Sequence, residues 1–414
     1  MQNFQIELLK IYQKSANSVQ KKSSLLSSAK LTSDLAYKLE QQQYSPSRYS
    51  CFVVKDPKVR EIFAPAFCDR LVHHVLVDRI QPYIDRRFIH DSFANRKGKG
   101  THKAVQRLQK FICNPNNRYF IQMDIQSFFP SIDKNILWRI VRQQVRTIHD
   151  ISEEECHFIL YLTRTILKQN PCIPYPVLTG NSDMIKQIPP HKSMFHIAKG
   201  KGLPIGSLTS QFFANLYLNE LDQFVKHQLK VKYYIRYVDD IVLLHHNPQQ
   251  LNQWKAEIEA FLGTQLALKL HPKKTLLQAV SRGINFLGYI TYKDHILVRQ
   301  RTVRALKRRL YFFNHLLNPD KFPYGNPPSN LKITKRYRSG DLLPPVTPTP
   351  ALLQEMQATI NSYYGIFRFA DSYKLRKHIY HHHLQELKRY FLPADANYNS
   401  IKIKSGVYYW LAAF

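Results

Sequence analysis

Acidic residues are scarce in this chain: 29 Asp and Glu stand against 60 Lys and Arg, a formal net charge of +31. That excess is far beyond what solubility requires and points to a polyanionic partner, nucleic acid or an anionic membrane surface. Long apolar runs are missing too. No stretch approaches the roughly 18–20 apolar residues of a spanning helix. The N-terminal MQNFQIELLKIYQKS has neither the apolar core nor the cleavage site of a signal peptide. Cysteine is sparse, with Cys51, Cys68, Cys113, Cys156 and Cys172 widely spaced and no C-x-x-C pair. An odd, scattered set excludes a disulfide framework and a zinc site and fits reduced thiols. Internal repeats and long low-complexity tracts are absent. The expectation is a soluble, intracellular protein that faces nucleic acid.

What is present has the patterning of a mixed α+β chain. Residues 1–45 are polar, rich in Ser, Gln and Lys with helical spacing, and read as a peripheral helical extension. FVVKDPKVREIF (52–63) alternates like two short strands about a Pro-containing turn. Helical patterns follow at 67–86 and 101–113, a strand at 119–125, and helices at 134–148 and 152–169. A Pro- and Gly-rich loop or insertion covers 170–204, and a helix fits 207–229. The hairpin VKYYIRYVDDIVLLHH (231–246) precedes a helix at 248–263 and short strands at 266–270, 284–292 and 295–298. From Arg301 the pattern is helical and basic, with 18 Lys and Arg against 6 Asp and Glu. A proline-rich linker at about 319–350 interrupts it. The pattern predicts an antiparallel central sheet, helices behind it, and a helical C-terminal module.

Within the hairpin, YIRYVDDIVLL (234–244) places two adjacent carboxylates, Asp239 and Asp240, in an apolar strand. Buried without partners they would cost several kcal/mol. Strand alternation sends neighbours to opposite faces, unless they sit at a hairpin turn where both reach one cleft. Either the aspartates form a solvated hairpin tip, or they hold a divalent cation, for which hard oxygen ligands suit Mg2+. Asp124 ends a second apolar strand, FIQMD, ahead of aromatics and a turn. Three aspartates on strand ends in a strongly basic chain fit two-metal phosphoryl transfer.

YVDD (237–240) with MDIQSFFPSID (123–133) resembles the palm of reverse transcriptases. KVREIFAPAFCDRLVHHVL (58–76) is similar to their fingers motifs, and SFANRKGKGTHKA (92–104) to the template-contacting segment of bacterial members. GLPIGSLTSQFFANLYLNELD (202–222) resembles the segment before the catalytic hairpin, and LHPKKT (270–275) and INFLGY (284–289) the two motifs after it. The motifs run in family order from about 52 to 292. Most reverse transcriptases carry Gln-Gly and a final Ser-Pro where LPIGSLTSQ (203–211) has Ile205-Gly206 and Ser210-Gln211. That departure resembles the reverse transcriptases of diversity-generating retroelements, as do HKSMFHIAKGKGLPIG (191–206) and SYYGIFRFADSYKLRKHI (362–379). Retron, phage-defence and group II intron enzymes are the neighbouring alternatives. No endonuclease- or maturase-like domain is recognisable after the thumb, which disfavours the intron reading. The different-class rival is a non-catalytic RNA-binding protein on the same scaffold.

The resemblance implies a right-hand polymerase of the α+β class. Its parts would be an N-terminal helical extension (1–50), fingers (51–122), a first palm segment (123–133) and a fingers insertion (134–200). The second palm segment (201–298), thumb (299–390) and C-terminal tail (391–414) would follow. It implies Asp124, Asp239 and Asp240 as carboxylate ligands of two Mg2+ ions, or Mn2+, with the carbonyl of Ile125 as an extra ligand. Arg60, with Lys55 assisting, would hold the incoming triphosphate, as charge-assisted bonding to phosphate suits a guanidinium. Phe129 would exclude a ribose 2′-OH, with Phe128 in the core. Ile205 and Gln211 would border the dNTP, and Lys274, or Lys273 in another register, would protonate departing pyrophosphate. Arg96, Lys97 and Lys99 would contact template phosphates and Gly288 the primer end. KRR (307–309) and KRYR (335–338) would bind duplex. In the bland reading Lys55 is an exposed turn lysine and Gly288 a β-bulge glycine. The run His381-His382-His383 points three ways on a helix and is not read as a metal site.

The implied role is a cytoplasmic, bacterial or phage-encoded RNA-directed DNA polymerase. It would copy a retroelement's template RNA into adenine-mutagenised cDNA from dNTPs, bind the RNA/cDNA hybrid, and work with a small accessory variability protein. No membrane partner is expected.

Overall fold

The computed structural model describes residues 2–15, 25–54, 58–180, 182–324, 327–328 and 331–405. The chain forms two compact units, 1–104 with 119–278, and 105–118 with 279–414.

In the first unit, α1 (Gln2–Ser15) packs against both α2 (Leu25–Glu40) and α3 (Phe67–Ile84). Leu8, Leu35, Ala36 and Leu39 are buried in the unit's main core. The expected peripheral extension is therefore part of that core: its apolar positions fall on one stripe of each helix, and the polar residues cover the other. Strands β1 (Ser50–Val54) and β2 (Arg60–Ala64) form the expected hairpin; its turn, including Lys55, lies outside the described residues. Helix α4 (Thr101–Ile112) leaves this unit at Ala104, most of it belonging to the second, and β3 (Tyr119–Asp124) resumes the first. Asp133 caps α5 (Lys134–Arg146), accepting from the N–H groups of Asn135 and Ile136. Ser152 caps α6 (Glu153–Lys168), whose first turn carries Glu153, Glu154 and Glu155 where a helix N-terminus favours negative charge.

The segment expected as a loop at 170–204 contains β4 (Val177–Leu178), parallel to β1, and several 3-10 turns. Glu61 of β2 anchors it, accepting from the Ser193 hydroxyl at 3.0 Å and from the Met194 N–H. Helix α7 (Leu208–Gln223) passes into a π turn at Phe224–Gln228, so the expected 207–229 helix is divided. Strands β5 (Tyr234–Tyr237) and β6 (Asp240–His245), helix α8 (Pro248–Leu266) and β7 (Leu276–Ala279) follow. The strand expected at 266–270 does not form. Leu266 still belongs to α8, Ala267 ends it in the left-handed region, and Leu270 makes only an isolated bridge to Ile125. The fourth strand of the sheet is β7 instead, a run of only four residues, Leu276-Leu277-Gln278-Ala279. The sheet order is β5-β6-β3-β7, with β6 antiparallel to both β5 and β3.

The second unit holds an antiparallel sheet of β8 (Ile284–Phe286), β9 (Tyr289–Thr291) and β10 (Ile296–Val298). Helices α9 (Gln300–Leu317), α10 (Lys332–Arg338), α11 (Pro350–Phe367) and α12 (Tyr373–His383) follow. Helix α10 lies inside the stretch expected as a linker. The expected tail contains a hairpin, β11 (Phe391–Pro393) with β12 (Ile401–Ile403), fastened to α11 by Gln357 and Asn361, which both donate to the Ile401 carbonyl at 3.0 Å. Residues 279–298, expected with the palm, cluster with the helical C-terminal unit.

Candidate active site

The β3–β6 register pairs Asp124 with Asp240, and Tyr237 pairs with Asp240 across β5–β6. Val238 and Asp239 form the two-residue turn, with Val238 at φ +54°. A β-branched residue in the left-handed region is a backbone outlier, and such strain concentrates at functional sites. The turn lifts Asp239 out of strand alternation, so all three carboxylates gather at one end of the sheet. Burial, then Asp240 and Asp124, push the Asp239 carboxyl up to about 6, while Lys274 opposes the shift. Lys274 donates to Asp124 with Nζ 2.6 Å from Oδ2. This bond identifies Lys274 as the lysine that faces the carboxylates; the neighbouring Lys273 is exposed, and its backbone N–H donates to His271 Nδ1.

Beneath this end lies a group that the motifs did not reveal. Arg236 and Asp222 are fully buried, with a bidentate pairing: Nε to Oδ1 at 2.7 Å and Nη2 to Oδ2 at 2.5 Å. Arg236 also donates to Ser92 Oγ, Asn215 Oδ1 and, at 2.9 Å, the carbonyl of Val238. All five guanidinium donors are used. The Tyr234 hydroxyl adds a 2.6 Å bond to Asp222. Arg236 thus fixes the strained turn from inside. The available signal was an arginine among apolar strand residues, Tyr234-Ile235-Arg236, which needs a buried acid as partner.

Around the hairpin, Ile205 is half-buried and its carbonyl accepts from the Phe63 N–H at 2.8 Å. Gly206 (φ +131°) brings the chain so near β2 that a Cβ would stand 2.5 Å from the Phe63 carbonyl oxygen. Arg60 is exposed at the start of the same strand. Phe128 is buried at 3% exposure, and Phe129, half-buried, sits edge-on to it at 5.4 Å. Gln211 is exposed on α7.

The basic loop divides. Lys97 is exposed, but Arg96 is committed internally: its guanidinium pairs with Asp85 at 2.7 Å and donates to the carbonyls of Ile89, Ser92 and Asp85. The expected phosphate contact is corrected at Arg96, which instead ties the loop to α3. Lys99 donates to the His90 carbonyl at 2.8 Å and lies over the Phe93 ring, leaving it half-exposed. In the second unit, Gly288 (φ +95°) and Leu287 (φ +50°) form the β8–β9 turn, not a bulge, and a Cβ on Gly288 would meet no atom within 4 Å. Of the KRR cluster, Arg309 is corrected as well: it is buried at 8% exposure and packs on Tyr363, so it is not offered to a duplex. Lys335, Arg336 and Arg338 are exposed on α10. The three histidines diverge, His381 bonding Tyr398 and His382 stacking on His378.

The donor set suits a hard divalent cation: three carboxylates at one sheet end, with Asp239 raised by its burial and then by the charges of Asp240 and Asp124. At Ile125 the bridge to Leu270 is bonded through the Asp124 carbonyl and the Gln126 N–H. The Ile125 carbonyl is therefore turned to the other edge, where the hairpin lies. Among the described residues the carboxylates do not close into a three-ligand cluster. Lys274 supplies the positive charge on Asp124.

Residues 54–291 match the family described as reverse transcriptase (RNA-dependent DNA polymerase). The chain is 24% identical over 292 residues to Protein YkfC of Escherichia coli strain K12, covering 62% of this chain and 68% of that protein. It is 21% identical over 325 residues to the group II intron-encoded protein LtrA of Lactococcus lactis subsp. cremoris, covering 63% of this chain and 49% of LtrA. The chain thus spans about half the length of that relative. Telomerase from Candida albicans, solved with a fragment of telomeric RNA, aligns over 83% of this chain and 60% of its own at 11% identity and a TM-score of 0.42. With the family match covering more than half of its length, the chain belongs to the reverse transcriptases, the RNA-dependent DNA polymerases.

Proposed function

We propose that this protein extends a DNA strand along an RNA template and does so as the mutagenic polymerase of a diversity-generating retroelement. The observation that carries the polymerase reading is the convergence of Asp124, Asp239 and Asp240 at one sheet end, with Lys274 on Asp124. These carboxylates, with the Ile125 carbonyl, would hold Mg2+ or Mn2+. The ions would activate the attacking 3′-oxygen and stabilise charge on the leaving phosphate. Lys274 holds a proton beside that site and is suited to pass it to departing pyrophosphate. Arg60, exposed on β2, offers its guanidinium to the triphosphate. The half-buried Phe129 ring would stand against the ribose 2′ position and exclude a hydroxyl there. Lys97, the half-exposed Lys99 and Gly288 are proposed along template and primer.

The retroelement reading is supported by Ile205. Its backbone is bonded to β2, and its side chain has bulk but no donor or acceptor with which to police a nascent base pair. Losing one discriminating polar contact costs about 1–3 kcal/mol of selectivity. The adenine bias, the retroelement template RNA and the small accessory protein rest on the sequence resemblance. Primer extension on RNA with dNTPs and Mg2+, followed by sequencing of the product, tests both levels. The expected product is cDNA with errors concentrated opposite template adenines. Even, low error across all four bases would return the protein to the retron or phage-defence reading, and absence of extension would remove the polymerase reading.

A further inference from the structure

Helices α5 and α6 bury their apolar faces, with Leu137, Ile140, Val141 and Val145 on one and Ile159, Leu162 and Ile166 on the other. Beside that seam runs a second, polar stripe. On α5 it is Lys134, Trp138, Arg142 and Arg146, each four residues apart and so on one face along about 18 Å of helix. On α6 it is His157, Tyr161, Arg164 and Lys168. Two adjoining clefts, of about 880 Å3 and about 710 Å3, are lined by these residues, share Trp138, Arg164 and Lys168, and form one trough. Lys199 and Lys201 close the end nearer residue 134.

Three features separate this trough from an ordinary solvated face. Among the described residues no Asp or Glu lines it. Arg142, Arg146, Arg164 and Lys168 are exposed and make no hydrogen bond or ion pair among the described residues, whereas Arg79, Arg87, Arg96 and Arg236 of the same unit are all committed to partners. An indole lies between the cations, half-buried and open to the trough. Lys134 at its head bonds the Gln169 carbonyl at 2.9 Å, and burial pushes its ammonium down to about 8, so a nearby anion would strengthen its charge. Unpaired cations flanking an aromatic are the combination that holds single-stranded nucleic acid, phosphates on the charges and a base on the ring.

We propose that this trough is a second RNA-binding surface, distinct from the site of synthesis, which grips a single-stranded segment of the RNA being copied. None of Asp124, Asp239, Asp240, Lys274 or Arg60 lines either cleft. The proposal takes RNA as the polyanion from the polymerase reading, and its test is separable from that reading.

The test compares the full chain with Arg142→Ala/Arg146→Ala/Arg164→Ala and with Trp138→Ala. Arg142, Arg146 and Arg164 are exposed, Trp138 is half-buried against the core, and melting temperature checks the fold of each variant. Anisotropy measures affinity for a labelled unpaired RNA across salt, and extension is measured on a short primer–template too small to reach beyond the synthesis site. The triple variant should bind unpaired RNA at least tenfold more weakly, with the log–log salt slope flattened by about 2 for three lost phosphate contacts. Trp138→Ala should lose about five- to hundredfold in affinity. Extension of the saturating short primer–template should be unchanged in both. Unchanged RNA affinity would overturn the proposal. So would parallel loss of extension, which would make the trough part of the template channel. Polyglutamate competing as well as RNA, with no effect of Trp138→Ala, would also overturn it and point to an acidic protein partner. A wild-type protein that fails to extend any primer would overturn the polymerase reading, while the unpaired-RNA measurement would still decide the trough.

Discussion

Two carboxylate–cation pairs meet at the hairpin, and they differ in almost every physical respect. Asp222–Arg236 is 0% exposed on both sides, bidentate, and surrounded by Tyr234, Asn215, Ser92 and the Val238 carbonyl. Asp124–Lys274 is 20% and 42% exposed and makes one contact. The first pair cannot be separated without leaving a charge stranded in a low dielectric. The second can exchange partners freely, because water and ions compensate either member. The difference assigns the pairs to different tasks: one holds the turn, and the other can yield its carboxylate to a metal ion and its ammonium to a phosphate.

Breaking the buried pair gives the largest expected effect. Arg236→Ala should destabilise the protein by about 3–5 kcal/mol, read by denaturant unfolding. Replacing both members, as Arg236→Met with Asp222→Leu, should recover much of that stability yet leave extension impaired, since the Val238 carbonyl still lacks its donor. A double variant with full activity would deny Arg236 its positioning role.

Removing the exposed cation should invert the pattern. Lys274→Ala is expected to change stability by less than about 1 kcal/mol and to slow single-turnover extension by about a hundredfold. Lys273→Ala should do neither. Equal effects of the two would mean that Lys274 serves only as a nearby charge.

Asp239 sharpens the contrast through pH. Its folded carboxyl is raised from the ordinary 3.8 to about 6, so the folded chain binds this proton more tightly than the unfolded one. The stability this gives is fully present below about pH 4 and is lost as pH rises through about 6. Above that the charged form is a burden. Without divalent ions, Asp239→Asn should therefore be more stable than wild type at pH 7, by on the order of 1–3 kcal/mol, with the gap closing toward pH 4. Mg2+ should raise the wild-type melting temperature more than that of the variant. A variant less stable than wild type at pH 7 would contradict the burial and repulsion that raise this carboxyl.

The smallest effect is expected at Ile205. Ile205→Gln should lower misincorporation opposite template adenine by about tenfold while synthesis continues, read from insertion kinetics opposite each template base. Unchanged errors in an active variant would move the cause elsewhere.

The same comparison explains what could be read in the sequence. Asp124, Asp239 and Asp240 were legible because the hairpin and the strand end carry local patterns that survive without tertiary information. Lys274 was legible up to its register, which its bond to Asp124 resolves. Arg236 was not, because its partner lies 14 residues away on α7 and only packing brings them together. Arg96 and Arg309 looked like free cations in glycine-rich or basic stretches, yet Asp85 and Tyr363 claim them. The first two helices looked peripheral because their apolar stripes are narrow. The strand expected at 266–270 lost to continuation of α8, a competition between helix propagation and β pattern that short apolar runs leave open.

The most direct test of the central claim is metal-dependent extension by carboxylate variants. Wild type, Asp124→Asn and Asp239→Asn are given the same primed RNA template, with Mg2+ varied to saturation and RNA affinity measured in parallel. Extension by both variants should fall by more than the about 10–100-fold that losing an outer partner of a metal site costs, at every Mg2+ concentration, with RNA affinity retained. Extension by either variant at a rate near wild type would contradict it.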